Sequence, residues 1–162
     1  MGAPVGKDIE EKIYRTFTEM ASSLGYSEVH GRIIAALLVN GSSLPLQELA
    51  KRTGYSTSNI SLSLDLLELI GVIKRFRKKG DRKLYVSLEG DLLGALKNAV
   101  LLKIKKKIQD SFDDFEGYKK ELERLGPEER KKVGKIIDAL EKELIRLEKY
   151  VDLLSKVEIP KD

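Results

Sequence analysis

The stretch from Leu44 to Leu88 constrains the fold more than any other part of the 162-residue chain. Its apolar residues recur at helical steps, stop at Gly54, restart after Ser56 and stop again at Gly71. After Gly71 the helical period gives way to that of a strand, and a second strand follows a turn centred on Gly80 and Asp81. The spacing predicts a short helix over Gln47–Thr53, with Leu44–Pro45–Leu46 before it as a possible small strand. A second helix is predicted over Thr57–Ile70, capped by Ser56 and burying Ile60, Leu64 and Leu67. A hairpin follows, with strands Val72–Arg77 and Leu84–Leu88. Two short helices joined by a tight turn and followed by a basic hairpin describe a winged helix-turn-helix.

The flanks are helical. Ile9, Ile13, Phe17, Met20 and Leu24 share one face of a helix over Lys7–Leu24, which Gly25 ends. Ser27 caps a helix over Glu28–Asn40 that is apolar nearly all round and therefore buried. From Asp91 a long helix is expected as far as Leu125, with Gly117 as a point where it bends or breaks. Gly126 and Pro127 mark a boundary, Pro127 taking the first helical position. In the last helix Val133, Ile137, Leu140, Leu144, Leu147, Val151 and Leu154 alternate steps of four and three, a seam that specifies helix pairing.

Charge sharpens this reading. The net charge of +4 is small. Residues 44–88 hold nine basic groups against four acidic ones, net +5, while residues 1–43 are at −1 and 89–162 at zero. Within the hairpin, Lys74–Lys83 carries seven basic residues against Asp81 alone, or +6. A basic patch on a near-neutral protein points to an anionic partner at one place. The early residues of the capped helix, Ser56, Thr57, Ser58, Asn59 and Ser61, are small hydrogen-bonding groups suited to phosphates and base edges. Double-stranded DNA is the partner that fits. Leu62, Leu66 and Leu69 project at roughly 200°, 240° and 180° from Ile60 at 100° per residue, opposite the core face. The same helix has no basic residue, and Asp65 and Glu68 set it at −2. Two explanations stand: Leu62 reads thymine methyl groups while Leu66 and Leu69 pack on dimer helices, or this face receives another protein.

Several functions are excluded by residue type. Cysteine is absent and histidine occurs once, so thiolate chemistry, Cys-based zinc sites and multi-His metal sites within one chain are out. There is no phosphate-binding glycine loop and no nucleophile–base pair, so no catalytic residue, metal or cofactor is assigned. No apolar run has the roughly 18 residues of a membrane helix. The start of the chain lacks the apolar core of a signal peptide, and a cytoplasmic location is expected. Few Asn and Gln residues with abundant Lys and Glu suit a hyperthermophile, and equally a Lys/Glu-rich helical protein.

The chain resembles the GbsR branch of the MarR-type winged-helix transcriptional regulators. The resemblance is carried by Gly31-Arg32-Ile33-Ile34 through Leu38, Leu46-Gln47-Glu48-Leu49-Ala50, Ser56-Thr57-Ser58-Asn59-Ile60-Ser61, Leu64 to Leu67, Gly71-Val72-Ile73-Lys74-Arg75 and Gly80-Asp81-Arg82-Lys83-Leu84-Tyr85. It covers about residues 7–90; the C-terminal helices match in style. It implies a mainly α, homodimeric DNA-binding regulator of archaeal origin. Residues 1–26 would form an N-terminal dimerisation helix, 27–90 the winged helix-turn-helix and 91–162 a C-terminal helical dimerisation region. The DNA-binding set would be Ser56, Thr57, Ser58, Asn59, Ser61 and Leu62 with Lys78, Lys79, Arg82 and Lys83. Arg82 would be the wing arginine, oriented by Asp81 through a charge-assisted hydrogen bond. Ile13, Phe17, Val133, Ile137, Leu140, Leu144, Leu147 and Val151 would form the dimer contacts, the last six as a coiled-coil seam. In an archaeon, an activator of this kind would recruit basal transcription factors through its exposed apolar face. Such regulators often carry an effector pocket between their dimer helices; Tyr14, Phe17 and Tyr26 are candidates to line it, or else belong to the core.

Overall fold

A computed structural model of the chain describes residues 5–41 and 43–162; the first four residues of the expected 1–26 segment lie outside this range. The elements run α1 (Val5–Ser23), α2 (Glu28–Val39), β1 (Ser43–Pro45), α3 (Leu46–Thr53), α4 (Thr57–Ile70), β2 (Ile73–Arg77), β3 (Leu84–Leu88), α5 (Leu92–Glu121) and α6 (Pro127–Lys156). A single 3-10 turn, Leu122–Arg124, lies between the last two. The chain divides into two compact units, one up to Ala99 and one from Val100 to Asp162.

The first unit is a winged helix, mainly α with a small antiparallel sheet. Glycine at positive φ ends three of its helices. After α1, the amide of Gly25 bonds to the Ser22 carbonyl and that of Tyr26 to the Ala21 carbonyl. After α4, Gly71 (φ 89°) bonds back to Glu68, and Val72 to Leu67. Both pairs form the closing pattern of a left-handed cap. They explain two boundary shifts from expectation. Leu24 falls outside α1, and Val72 is spent on the cap, so the strand begins at Ile73. The Ser27 hydroxyl accepts from the Val29 amide and the Ser56 hydroxyl from the Asn59 amide, as N-caps do.

The core holds Ile33, Ala36 and Leu37 from α2, Leu49 and Ala50 from α3, and Ile60, Leu64 and Leu67 from α4. Ile73 and Val86 close it from the sheet. Burying each large side chain contributes about 1.5–3 kcal/mol, which is why this segment folds around α2. The strand order is β1-β3-β2, all antiparallel, with Leu44 opposite Val86 and Phe76 opposite Tyr85. Leu46 opens α3 instead of extending β1. Gly31 is where α1 and α2 cross. A Cβ there would lie 2.2 Å from the Phe17 carbonyl oxygen, so no other residue fits without moving the backbone.

In the second unit, α5 continues through Gly117 without a break. One interior glycine costs a helix about 1 kcal/mol, which a long helix absorbs. The helix stops at Glu121, short of the expected Leu125, and tightens into the 3-10 turn. Arg130 from the next helix donates to the carbonyls of Leu122, Glu123 and Leu125, satisfying acceptors that a helix end leaves free. Lys119 of α5 and Glu141 of α6 form an ion pair at 2.7 Å. Of the expected seam, Ile137 and Val151 are buried, and Val133, Leu144 and Leu154 are half-buried. Leu140 and Leu147 are exposed, at 49% and 43%. One copy of the unit therefore covers part of its own seam and leaves the rest bare. No helix among the described residues is long and apolar enough to cross a membrane.

Candidate nucleic-acid interface

Helix α4 and the β2–β3 hairpin carry the residues expected to meet DNA. The caps at each end of α4 fix where its first turn points. Ser56, Thr57, Ser58 and Asn59 are all exposed, Ser61 is half-buried, and Leu62 is exposed at 74%. The turn before α4 is also held from behind. Arg32 of α2 donates through Nε to the Thr53 carbonyl (3.1 Å), and Thr53 Oγ1 bonds back to the Leu49 carbonyl (2.8 Å). Arg32 also lies 5.2 Å from the Tyr14 ring centre, a cation–π contact. In the sequence Arg32 belongs to the resemblance but has no assigned role. The fold gives it one: it positions the turn between α3 and α4.

The three leucines of the outer face separate. Leu62 and Leu69 are exposed, at 74% and 73%, but Leu66 is half-buried and packs on the core. The helical-wheel expectation that all three face away from the core fails at Leu66. Its angle is nearest to the flank of the helix, where a neighbouring side chain can reach it.

The hairpin is more ordered than a run of basic residues suggests. Asp81 closes its tip: its amide bonds to the Lys78 carbonyl (3.0 Å), with Gly80 at φ 78° supplying the positive angle of the turn. The Asp81 carboxylate accepts from the Lys83 amide (2.9 Å) and from Tyr85 Oη (2.8 Å). Those bonds hold its carboxyl below the usual aspartate range, the Lys83 amide first and the Tyr85 hydroxyl second. The same carboxylate pushes the Tyr85 phenol up. Asp81 therefore does not orient the Arg82 side chain; it folds the tip of the wing. Tyr85 stacks on Phe76 across the two strands at 5.6 Å, and Lys78 Nζ sits 4.1 Å from the Tyr85 ring centre.

The cations of the hairpin fall into two groups. Arg75 is turned toward α4. Its Nη2 pairs with Asp65 (2.8 Å) and with Glu68, and its Nε donates to Glu68 (3.1 Å). Hydrogen bonds from Arg75 hold the Glu68 carboxyl below the usual glutamate range, and the two acids push Arg75 up. Lys74 pairs with Glu89 at 3.8 Å. Arg77 donates to the Arg82 carbonyl, bracing the tip. Lys78, Lys79, Arg82 and Lys83 are exposed, and none of them forms an ion pair among the described residues. The +6 of the sequence thus resolves into cations spent inside the protein and four at the tip. By sequence Arg75 is one more wing cation; that it instead pairs with the acids of α4, seven and ten residues back, is not legible there.

An apolar cavity of about 430 Å³ lies between α1, α2, the end of α4 and the start of α5. Phe17, Leu24, Tyr26, Ile34, Leu67 and Leu96 line it. Phe17 and Tyr26 line this cavity within one chain, and Tyr26 also packs on the core. Tyr14 is not part of the lining and packs on the core. Of the expected dimer contacts on α1, Ile13 and Phe17 are both half-buried. Among the described residues no group of His, Cys, Asp and Glu side chains is placed to hold a metal ion.

No family model matches the chain, and no curated protein sequence does. Among solved structures, one described as a transcriptional regulator superposes with a TM-score of 0.59 at 19% identity, over 91% of this chain and 99% of that one. The YusO protein from Bacillus subtilis is 25% identical with a TM-score of 0.41, over 84% of this chain and 89% of that one. A MarR-family transcriptional regulator from Silicibacter pomeroyi is 19% identical with a TM-score of 0.42, over 84% of each chain. The first superposition shows a shared fold: the chain is built as a mainly helical protein around a winged helix.

Proposed function

We propose that this protein is a DNA-binding transcriptional regulator of the MarR type, close to the GbsR branch, working as a homodimer. The observation that carries the reading is the four-cation tip of the hairpin beside a capped helix with an exposed polar first turn. In this reading α4 enters the major groove by its N-terminal end, presenting Ser56, Thr57, Ser58, Asn59, Ser61 and Leu62. Lys78, Lys79, Arg82 and Lys83 neutralise backbone phosphates or place Arg82 in the minor groove. The exposed Leu140 and Leu147 support a second copy on the α6 seam, joined by Val133, Ile137, Leu144 and Val151, with Ile13 and Phe17 contributing from α1. Two recognition helices in a dimer would sit about 34–36 Å apart and read a pseudo-palindromic site.

The alternative, an adaptor that docks basal transcription factors on Leu62, Leu66 and Leu69, has less support. Leu66, the middle residue of that surface, is packed on the protein's own core.

The test is the salt dependence of binding to duplex DNA. Each phosphate neutralised should contribute a slope of about −0.9 in log K against log salt, so a dimer neutralising about six phosphates loses about 1,000-fold between roughly 50 and 200 mM salt. Affinity that barely moves over this range refutes the reading.

A further inference from the structure

Near its N-terminal end, the proposed DNA-binding face of α4 carries one apolar side chain that is exposed, Leu62. Along the solvent side of α4, Ser58, Leu62, Asp65 and Leu69 follow one another at steps of four, three and four. Leu62 is the apolar member nearest the N-terminal end, one turn beyond Ser58 and flanked by Asn59 and Ser61, and it is 74% exposed. Leu69 lies two turns further on, beside the Gly71 cap. Leu66 is half-buried and packs against the core. A single exposed leucine needs no explanation in general. This one stands on a helix that leads directly into a hairpin with four exposed, unpaired cations, so the surface that meets it is a polyanion.

What such a helix can read is set by its side chains. α4 has no arginine or lysine, so it lacks the fork that recognises guanine O6 and N7. Its one amide, Asn59, suits adenine N6 and N7, and its hydroxyls discriminate weakly. Its two carboxylates are held by Arg75 and face that partner. On the floor of the major groove the one apolar feature is the C5-methyl group of thymine.

We propose that Leu62 is a specificity-determining residue that reads thymine by packing on its C5-methyl group, making the centre of each half-site A·T pairs read from the major groove. The proposal rests on the DNA-binding reading above and gives it a sequence preference. Shape and hydrophobic contact then supply the specificity of α4, and charge is left to the wing.

The experiment separates the two layers. Duplexes that bind the full-length protein are selected from a randomised pool. Each half-site thymine of a selected duplex is then replaced in turn by deoxyuridine, which keeps the pairing edge and O4 and removes the methyl group. At fixed salt, one or two positions per half-site should bind about four-fold more weakly, the amount that burial of one methyl group confers. Leu62→Ala is safe for the fold, because the site is exposed and alanine favours helix. It should bind the thymine duplex more weakly and be indifferent to deoxyuridine at those same positions. Equal affinity for every deoxyuridine duplex overturns the proposal, and so does a Leu62→Ala protein that keeps the full deoxyuridine penalty. A pool that yields no bound duplex is a different failure: it removes the DNA-binding reading, and this inference with it.

Discussion

Helix α4 and the β2–β3 wing are neighbours in sequence, yet they present opposite surfaces. The exposed first turn of α4 carries hydroxyls and one amide, and its two carboxylates are occupied by Arg75. The wing tip carries four exposed cations, none of them in an ion pair among the described residues. The difference teaches how the proposed work is divided. A helix without a cation contributes no long-range attraction to a polyanion, and it can discriminate among base edges at short range. A cationic tip contributes affinity without regard to sequence and makes that affinity salt-dependent.

The largest expected effect tests this division directly. Replacing Lys78, Lys79, Arg82 and Lys83 together by alanine should abolish most of the measurable DNA affinity, by about 1,000-fold at moderate salt. The salt slope should become shallower by about 0.9 for each phosphate no longer neutralised. Asn59→Ala should do the reverse, changing which sequences are preferred while leaving the slope in place. If Asn59→Ala flattens the slope, or if the four-alanine protein keeps it, the division of work is wrong.

A smaller effect comes from the residue that joins the two surfaces. Arg75 stands on the wing strand and serves the helix. Arg75→Ala would release Asp65 and Glu68 as free carboxylates on a helix facing phosphates. At the separations of a protein–DNA interface each such repulsion is worth about 1 kcal/mol or less, so affinity should fall roughly ten-fold. The effect on folding should be small, since exposed ion pairs contribute at most about 1 kcal/mol. Adding Asp65→Asn and Glu68→Gln to Arg75→Ala should recover most of the affinity, as measured by fluorescence anisotropy. If the triple variant binds no better than Arg75→Ala alone, Arg75 acts by contacting DNA itself, and the boundary between the two surfaces moves.

How much of this is legible in the sequence depends on the range of the physics involved. The order of elements, the Ser27 and Ser56 caps, the Gly71 stop and the second strand over Leu84–Leu88 follow from single residues and short periods. Local conformational preference suffices for each. What sequence reading misses involves side chains that meet through the fold. The partner of Arg75 is seven residues back, across the Gly71 reversal, and a count of charges assigns the two to separate elements. Asp81 is expected to hold the side chain next to it, when a backbone amide two residues on and the Tyr85 hydroxyl are better placed. The break expected at Gly117 fails for the opposite reason: a local penalty is too small to overrule a long helix. The split of the α6 seam into buried and bare positions depends on the width of what packs against it, which a heptad pattern does not state.

The smallest expected effect asks whether the wing is pre-shaped in the free protein, as α4 is by its caps, or is a charged loop ordered by its partner. The Asp81 carboxyl is held below its ordinary range in the folded chain, first by the Lys83 amide and then by the Tyr85 hydroxyl. A group with a depressed folded pKa contributes fully above its unfolded value, about 3.9 for aspartate, and loses that contribution as pH falls through the folded value. The tip should therefore keep its shape from neutrality down through the ordinary aspartate range and loosen in stronger acid. On the alkaline side the Tyr85 phenol is pushed up, so the bond it donates should persist past the ordinary tyrosine range, about pH 10. The Lys83 amide and the Tyr85 ring protons, followed by NMR in the free protein, report both limits. A Lys83 amide that titrates at the ordinary aspartate value, or a Tyr85 ring averaged as in an unfolded chain, would mean that the tip is not built before it binds. The contrast with α4 would then lie in order as well as in charge: a rigid reading helix beside a wing that takes its shape on the phosphates.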